Sequence, residues 1–363
     1  MVAERTHLDH AATTPVRPEA QAAVAEGLRD WANPSSPHAA GRAARAALED
    51  ARARIRSVLD WDGELIFTSG ATESIAIALA HADCTGRAVS AIEHDSVLRA
   101  AGDATRLPVR PNGALDMDVL AAVVGRGERP LVAVQAVNSE LGTAQDLAGI
   151  AAIVRDAGGL LFADCAQSAG KVPLPDADLM AVSAHKFGGP PGIGALLVRD
   201  FAMLRATGGQ EFGYRGGTEN LPGALAMAAA LEAADRLDDG TAAWLAELQP
   251  ALLDLRMKVA DQGGTVLADP GRPAAILSIA MPGMKAAAQL IRFDLAGIAV
   301  SAGSACSSGS LKTSHVLDAI RAPADLADSA IRVSVGWTTT PGDIARFAEA
   351  WTGIAQDARS RAA

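Results

Sequence analysis

The sequence predicts an α/β fold, with a large doubly wound domain on a mostly parallel sheet and a smaller α+β domain. Two observations carry that expectation. Between about residues 65 and 198, short apolar, β-branched runs alternate with longer helical patterns, and strands that are apolar on both faces belong to sheets covered by helices on each side. From about residue 264 the pattern changes to strands mixed with helices in a new rhythm, which marks a second unit. A chain of 363 residues with 49% hydrophobic content is long enough to build both cores.

Taken in order, "HAAGRAARAALEDARARIRSVLD" has the spacing of a long amphipathic helix. The strands of the large sheet follow as "LIFTSG" at 65, "AVSAI" at 88, "LVAVQAV" at 131, "LLFADCAQ" at 160, "LMAVSA" at 179 and "IGALLV" at 193, separated by helices such as "ESIAIALAHA" and "DLAGIAAIVRDAGG". "LPGALAMAAALEAADRL" and "TAAWLAELQPALLDLRMKVADQ" read as two further helices, and the domain boundary falls near 245–264. Beyond it, "AAILSIAMPG", "IAVSAGSAC" and "IRVSVG" read as strands, and "KAAAQLIRFDLAG" and "GDIARFAEAWTGIAQDA" as helices.

Charge and composition exclude several classes of function. With 32 Lys+Arg against 42 Asp+Glu, the net charge of −10 opposes binding to a phosphate backbone or to anionic lipid. The start, "MVAERTHLDHAATTP", has no apolar leader core, and no run approaches the roughly 18 apolar residues of a membrane span. A cytoplasmic protein without nucleic-acid or membrane partners is expected. Cys84, Cys165 and Cys306 are odd in number and far apart, so neither a disulfide framework nor a zinc knuckle fits.

In open α/β sheets, ligands bind beyond the carboxyl ends of the strands. Thr72, His94, Asn138, Asp164, Gln167, Ser183, His185 and Lys186 all fall at such ends. Each has a bland reading alone, as an N-cap, a satisfied histidine, a structural acid or a solvated lysine. Their convergence points to one cleft. "FTSGATES" offers backbone N–H groups, a hydroxyl and a positive helix end to a phosphate. Asp164, an acid at the tip of a buried strand, needs a partner, either a protonated pyridine nitrogen or a structural arginine. A lysine desolvated among such groups can lose its proton and form a Schiff base with an aldehyde, as pyridoxal phosphate enzymes require.

The segments "LDHAATTP", "NPSSPHAAGR", "FTSGATES", "EH", "VNSELG", "DCAQSAG", "SAHKFGGPPGIGAL", "RGGTEN", "GIAVSAGSACSSGSL" and "IRVSVG" occur in the order and spacing of cysteine desulfurases, which the chain resembles from about residue 7 to 350. These are class V aminotransferase-like, fold type I pyridoxal 5′-phosphate enzymes. The resemblance implies a mostly parallel seven-stranded sheet in a large cofactor domain over 16–250, and a small domain over 1–15 and 251–363. By the same resemblance, Lys186 carries the cofactor, His94 stacks on its ring, Asp164 pairs with the pyridine nitrogen, and Gln167 bonds the ring hydroxyl with Asn138 beside it. Ala71, Thr72, Ser183 and His185 would hold the phosphate, with Thr218 reaching over from the other subunit of a homodimer. Arg332, with Asn138, would bind the carboxylate of L-cysteine.

Cys306, in the mobile-looking "SAGSACSSGS", corresponds to the group I catalytic cysteine that takes the substrate sulfur as a persulfide and releases alanine. The implied outlet is a sulfur acceptor or scaffold protein serving iron–sulfur cluster, tRNA or thio-cofactor synthesis. No resident metal is implied, Cys306 being at most a transient ligand of a cluster. Trp337 stands where the family commonly has a basic residue, and Lys312 where an acidic one is frequent. Two other readings compete: a selenocysteine lyase or other class V lyase or aminotransferase of the same fold, which would not need Cys306, and a non-catalytic scaffold, against which Lys186 argues.

Overall fold

The computed structural model describes residues 5–126, 129–268, 275–302 and 314–362. The chain opens on a two-residue strand, β1 (Thr6–His7), and reaches the large sheet only after two helices, Pro18–Arg29 and Ala39–Val58. That sheet contains β2 (Glu64–Thr68), β3 (Gly86–Ser90), β4 (Thr105–Leu107), β5 (Pro130–Gln135), β6 (Leu160–Asp164), β7 (Leu179–Ser183) and β8 (Gly194–Val198), in the order β2-β8-β7-β6-β5-β3-β4. Every neighbouring pair is parallel except the two made by β8, which runs against both β7 and β2.

The two-sided burial inferred from the sequence has a direct expression. In β5, Val132 and Val134 join one hydrophobic cluster while Leu131 and Ala133 join another; in β7, Met180 and Val182 divide from Leu179 and Ala181 in the same way. Because successive strand side chains point to opposite faces, each strand feeds two helix-covered layers. Ala71–His81 packs on one face, and Leu221–Glu232 with the two N-terminal helices on the other.

A separate cluster gathers Leu252, Leu255, Leu277, Phe293, Ile331, Phe347 and Trp351. It belongs to a three-stranded antiparallel sheet of β9 (Thr265–Val266), β10 (Ile276–Ala280) and β12 (Ala330–Ser334), and to the helices Gln249–Asp261, Ala286–Leu295 and Pro341–Ala362. The short strand β11 (Ile298–Ala299) pairs in parallel with β1. The sequence segment "IAVSAGSAC" thus contributes only two residues of strand before residues 303–313, which lie outside the described region and include Cys306 and Lys312. The predicted helix "TAAWLAELQPALLDLRMKVADQ" is divided into Ala243–Glu247 and Gln249–Asp261. Pro250 has no N–H to donate backwards, so it sits in the first turn of a new helix. No helix among the described residues is long and apolar enough to cross a membrane.

One edge of the large sheet is closed by side chains rather than by another strand. Arg52, from the second helix, makes two contacts with Glu211, from Nη1 at 2.8 Å and from Nη2 at 3.0 Å, and also donates to the carbonyl of Leu65. Glu211 in turn accepts the N–H of Phe67 on edge strand β2 at 2.7 Å. Both side chains are almost fully buried, and the pair thereby engages two backbone groups of the edge, the Leu65 carbonyl and the Phe67 N–H.

Candidate active site

The carboxyl ends of β2, β3, β5, β6 and β7 lie along one edge of the sheet, and the residues singled out from the sequence follow them. β7 ends at Ser183 and turns through Ala184–Lys186. The turn closes on Gly188, whose φ of +101° is costly for other residues and whose missing Cβ would lie 2.6 Å from Arg17. This geometry sends the half-buried Lys186 back toward the N-terminal segment, where Nζ donates to the carbonyls of Ala11 at 2.6 Å and Ala12 at 2.9 Å. Among the described residues no carboxylate forms an ion pair with it. Burial, followed by the charge of Arg332, lowers its pKa from 10.5 to about 8, against the opposing pull of Asp164 and Asp9.

Asp164, at the end of β6, is buried, and Oδ1 accepts the N–H of Ala166 at 2.9 Å. Burial raises its pKa, while that hydrogen bond, His94 and Lys186 pull it down. Cys165 packs in the same cluster as Leu161 and Ala163, leaving Asp164 on the other side. No cation among the described residues pairs with the carboxylate, so the structural-arginine explanation finds no partner. His94 is exposed and caps Asp95–Ala100, with Nδ1 at 2.7 Å from Ser96 Oγ. Gln167 is buried and donates from Nε2 to the Ala11 carbonyl at 2.8 Å. Asn138 is largely committed to its own turn, donating to the Ile92 carbonyl and accepting the N–H groups of Glu140 and Leu141.

Around Gly70, whose φ is +149°, the chain turns from β2 into the helix whose first residues are Ala71 and Thr72. Buried Ser183 lies beside this turn, its Oγ 3.6 Å from where a Cβ on Gly70 would stand. His185 contacts Thr13 Oγ1 at 3.1 Å, and burial together with Lys186 and Lys171 lowers its pKa to about 4. Thr218 is exposed. Its segment is tied to the helix at Ala71 through Arg215, whose Nε reaches Glu73 at 3.2 Å.

Arg332, on β12, enters from the other unit. Its Nη2 meets Asp9 at 2.8 Å, Nη1 donates to the Ser139 carbonyl at 3.0 Å, and Nε is buried without a partner among the described residues. Trp337 donates from Nε1 to the Pro15 carbonyl at 2.9 Å and lies 4.7 Å under the Arg17 guanidinium. The unusual tryptophan thus joins the stretch after β12 to the segment that holds Lys186.

Several participants gave no signal in the sequence. Asp9 holds the Arg332 guanidinium, but "LDH" resembles any loop acid. Glu93 is wholly buried, with Oε1 accepting the N–H of Gln135 at 2.7 Å and Oε2 without a partner. Burial, then the nearby Asp164, raises its pKa well above that of an ordinary carboxylic acid. Lys171 is buried beside Gln167.

These donors fit a phosphorylated pyridine aldehyde: an amine with a lowered pKa, a buried carboxylate without a cation, and a glycine turn at a helix N-terminus lined by serine and histidine. The comparisons with known proteins agree with this chemistry. The family "Aminotransferase class-V" matches residues 6–347. The chain is 36% identical to a "Cysteine desulfurase" of Cereibacter sphaeroides, over 98% of this chain and 97% of that protein. It is 35% identical to "Cysteine desulfurase IscS" of Dictyoglomus turgidum, over 93% and 91%. A NifS-like protein from Rickettsia africae superposes with a TM-score of 0.85 at 27% identity, covering 97% of this chain and all of that one. A structure described as SspA in complex with cysteine gives 0.76 at 27% identity, covering 91% and 98%.

Proposed function

The chain belongs to the class V aminotransferase family, and from that premise we propose how its own residues desulfurate L-cysteine. It is a cysteine desulfurase, and its cofactor is pyridoxal 5′-phosphate. When bound, the cofactor supplies the electron sink for the substrate. The observation that carries the assignment of the residues is the pair Lys186 and Asp164, an amine and a carboxylate at adjacent strand ends, neither with an ion-pair partner among the described residues.

Lys186 would hold the cofactor covalently, and its amine, with a pKa lowered to about 8, would also serve as the base of the site. Asp164, on which His94 and Lys186 act to lower a pKa that burial raises, would hold a proton on the pyridine nitrogen of the bound cofactor. His94 would cover the ring and Gln167 would bond its hydroxyl. Ala71, Thr72, Ser183 and His185 bind the phosphate, joined by Thr218 of a second subunit in a homodimer. Arg332, steadied by Asp9, takes the substrate carboxylate beside Asn138. The large unit over 16–250 thus carries the cofactor, while 1–15 and 251–363 bring the carboxylate clamp and the reactive cysteine. Arg332→Lys keeps the charge but loses the planar fork. It should raise KM for L-cysteine by about 10- to 100-fold, as expected for one charged hydrogen bond, with a smaller change in kcat.

Sulfur leaves through Cys306, whose thiolate bonds to the substrate sulfur as the carbon–sulfur bond breaks. The bonding pair goes to carbon, alanine forms, and a persulfide remains. The other cysteines support this choice, because burial raises the pKa of both Cys84 and Cys165 and keeps them as thiols. A cytoplasmic location and a separate sulfur-acceptor protein complete the reading. Cys306→Ser tests it: the variant should bind L-cysteine but lose alanine formation by about 10³-fold or more. Mass spectrometry should find one added sulfur on the Cys306 peptide of the parent and none in the variant. Normal turnover by the variant, or sulfur on Cys84 or Cys165, would sink the mechanism.

A further inference from the structure

Lys171 has no part in the reaction as described, and its position is costly. It lies in the turn after β6, 5% exposed. Among the described residues the only hydrogen bond of its side chain runs from Nζ to Gln167 Oε1 at 3.3 Å, and no carboxylate forms an ion pair with it. A buried amine with one long hydrogen bond destabilises a fold. A methionine of similar length would pack there at lower cost.

The surroundings give the lysine a purpose. Lys171 and Lys186 line the same small cavity, together with His10, Arg17 and Trp337. Burial, followed by His7 and Lys171, lowers the pKa of His10 to about 3, so it is neutral there. Burial and Lys186 lower the pKa of Lys171 to about 7. The two lysines are also linked by hydrogen bonds. Lys171 donates to Gln167 Oε1, Gln167 Nε2 donates to the Ala11 carbonyl at 2.8 Å, and that same carbonyl accepts Lys186 Nζ at 2.6 Å. A carbonyl can only accept, so the amide end facing Ala11 must be the nitrogen and the end facing Lys171 the oxygen. Gln167 Oε1 has no other partner among the described residues. When Lys186 is committed to the cofactor, the Ala11 carbonyl loses one of its two donors, and Lys171 becomes the fixed point of the chain.

We propose that Lys171 is a positioning residue that locks the Gln167 amide with its oxygen engaged, so that only N–H donors are offered to the ligand bound at Lys186. This rests on the reading of Lys186 as the cofactor lysine. The lock keeps a hydrogen-bond donor beside the cofactor's ring oxygen and prevents the amide from turning an acceptor toward it.

The test is a double-mutant cycle on the holoenzyme with Lys171→Met, Gln167→Leu and both together. Lys171→Met should raise the melting temperature of the apoprotein, weaken pyridoxal phosphate binding by about 5- to 30-fold, corresponding to one or two hydrogen bonds, and shift the cofactor's visible absorption and its pH midpoint. Gln167→Leu should cause the same spectral shift, and the double variant should add nothing to it. Lys171→Gln, which retains an N–H donor, should restore part of the parent spectrum and serves if the methionine variant does not fold. An unaltered spectrum and affinity in Lys171→Met, or strictly additive effects, would overturn the lock. Borohydride reduction followed by peptide mass analysis of the parent tests the premise separately. Cofactor found on Lys171 instead of Lys186 would refute the reading of Lys186, whatever the cycle gives.

Discussion

Lys186→Ala should leave a folded protein without the yellow absorbance of a lysine-bound cofactor and with alanine formation reduced by at least about 10³-fold, the range expected when one group acts as both attachment point and proton carrier. The structure explains why so much depends on a single amine. Among the described residues Nζ is held only by the carbonyls of Ala11 and Ala12, and burial brings its pKa to about 8. The neutral amine, which attacks the aldehyde, is therefore well populated near neutral pH. Cofactor capture by the apoprotein should accelerate as pH rises through about 8 and level off above it, whereas an ordinary lysine would continue to gain up to about 10.5. Stopped-flow absorbance of the apoprotein mixed with pyridoxal phosphate at several pH values reads this directly. A rate still rising steeply at pH 10 would contradict the desolvated amine, and an active yellow alanine variant would remove Lys186 from the mechanism.

Arg52→Met should produce the largest loss of stability. Among the described residues the substitution leaves the buried Glu211 carboxylate only the Phe67 N–H, and breaking a buried pair from one side costs about 3–5 kcal/mol. For a protein of this size that corresponds to a fall of about 4–7 °C in melting temperature. Replacing both partners, as in Arg52→Met with Glu211→Leu, should recover a good part of it, because the stranded charge is gone. Calorimetry on the single and double variants distinguishes the two outcomes, and a single variant that melts with the parent would show that the pair is not what closes the edge. Cofactor affinity should fall as well. Glu211 and Phe212 have left-handed φ values of 46° and 58°, and they lead directly into the segment that carries Arg215 and Thr218.

The large sheet was legible because its strands are apolar on both faces and long enough to give a period, and the cluster at their ends followed from the rule for open sheets. Shorter elements were not. β4 spans three residues and β9 two, too few for any alternation to register. The helix Pro18–Arg29 was missed because its apolar stripe is mostly alanine, a good helix former but a weak hydrophobic marker. Within the site, residues that meet the ligand by type could be named from strand ends. Those that hold other residues could not. Asp9 lies 323 positions from the Arg332 it pairs with, and no local pattern encodes such a contact. Glu93 and Lys171 look like solvated charges until burial is known, since nothing in "EH" or "AGK" indicates that water is excluded.

The stretch from Thr6 to Arg17 supplies no strand to the large sheet, yet it touches both halves of the molecule. β1 pairs with β11, Asp9 grips Arg332, Ala11 and Ala12 receive Lys186, and the Arg17 N–H donates to the Gly188 carbonyl at 2.8 Å. For purification and assay this makes proteolytic trimming a concealed hazard. A cut after Thr14 would spare the hydrophobic clusters almost entirely, removing only Leu8, from the cluster around Phe347 and Trp351. The clipped protein would therefore elute and give a circular dichroism spectrum much like the intact chain. It would have lost the carbonyls that aim the lysine and the acid that steadies the arginine, so a preparation of normal appearance and poor specific activity should be checked first for the mass of its N-terminal peptide.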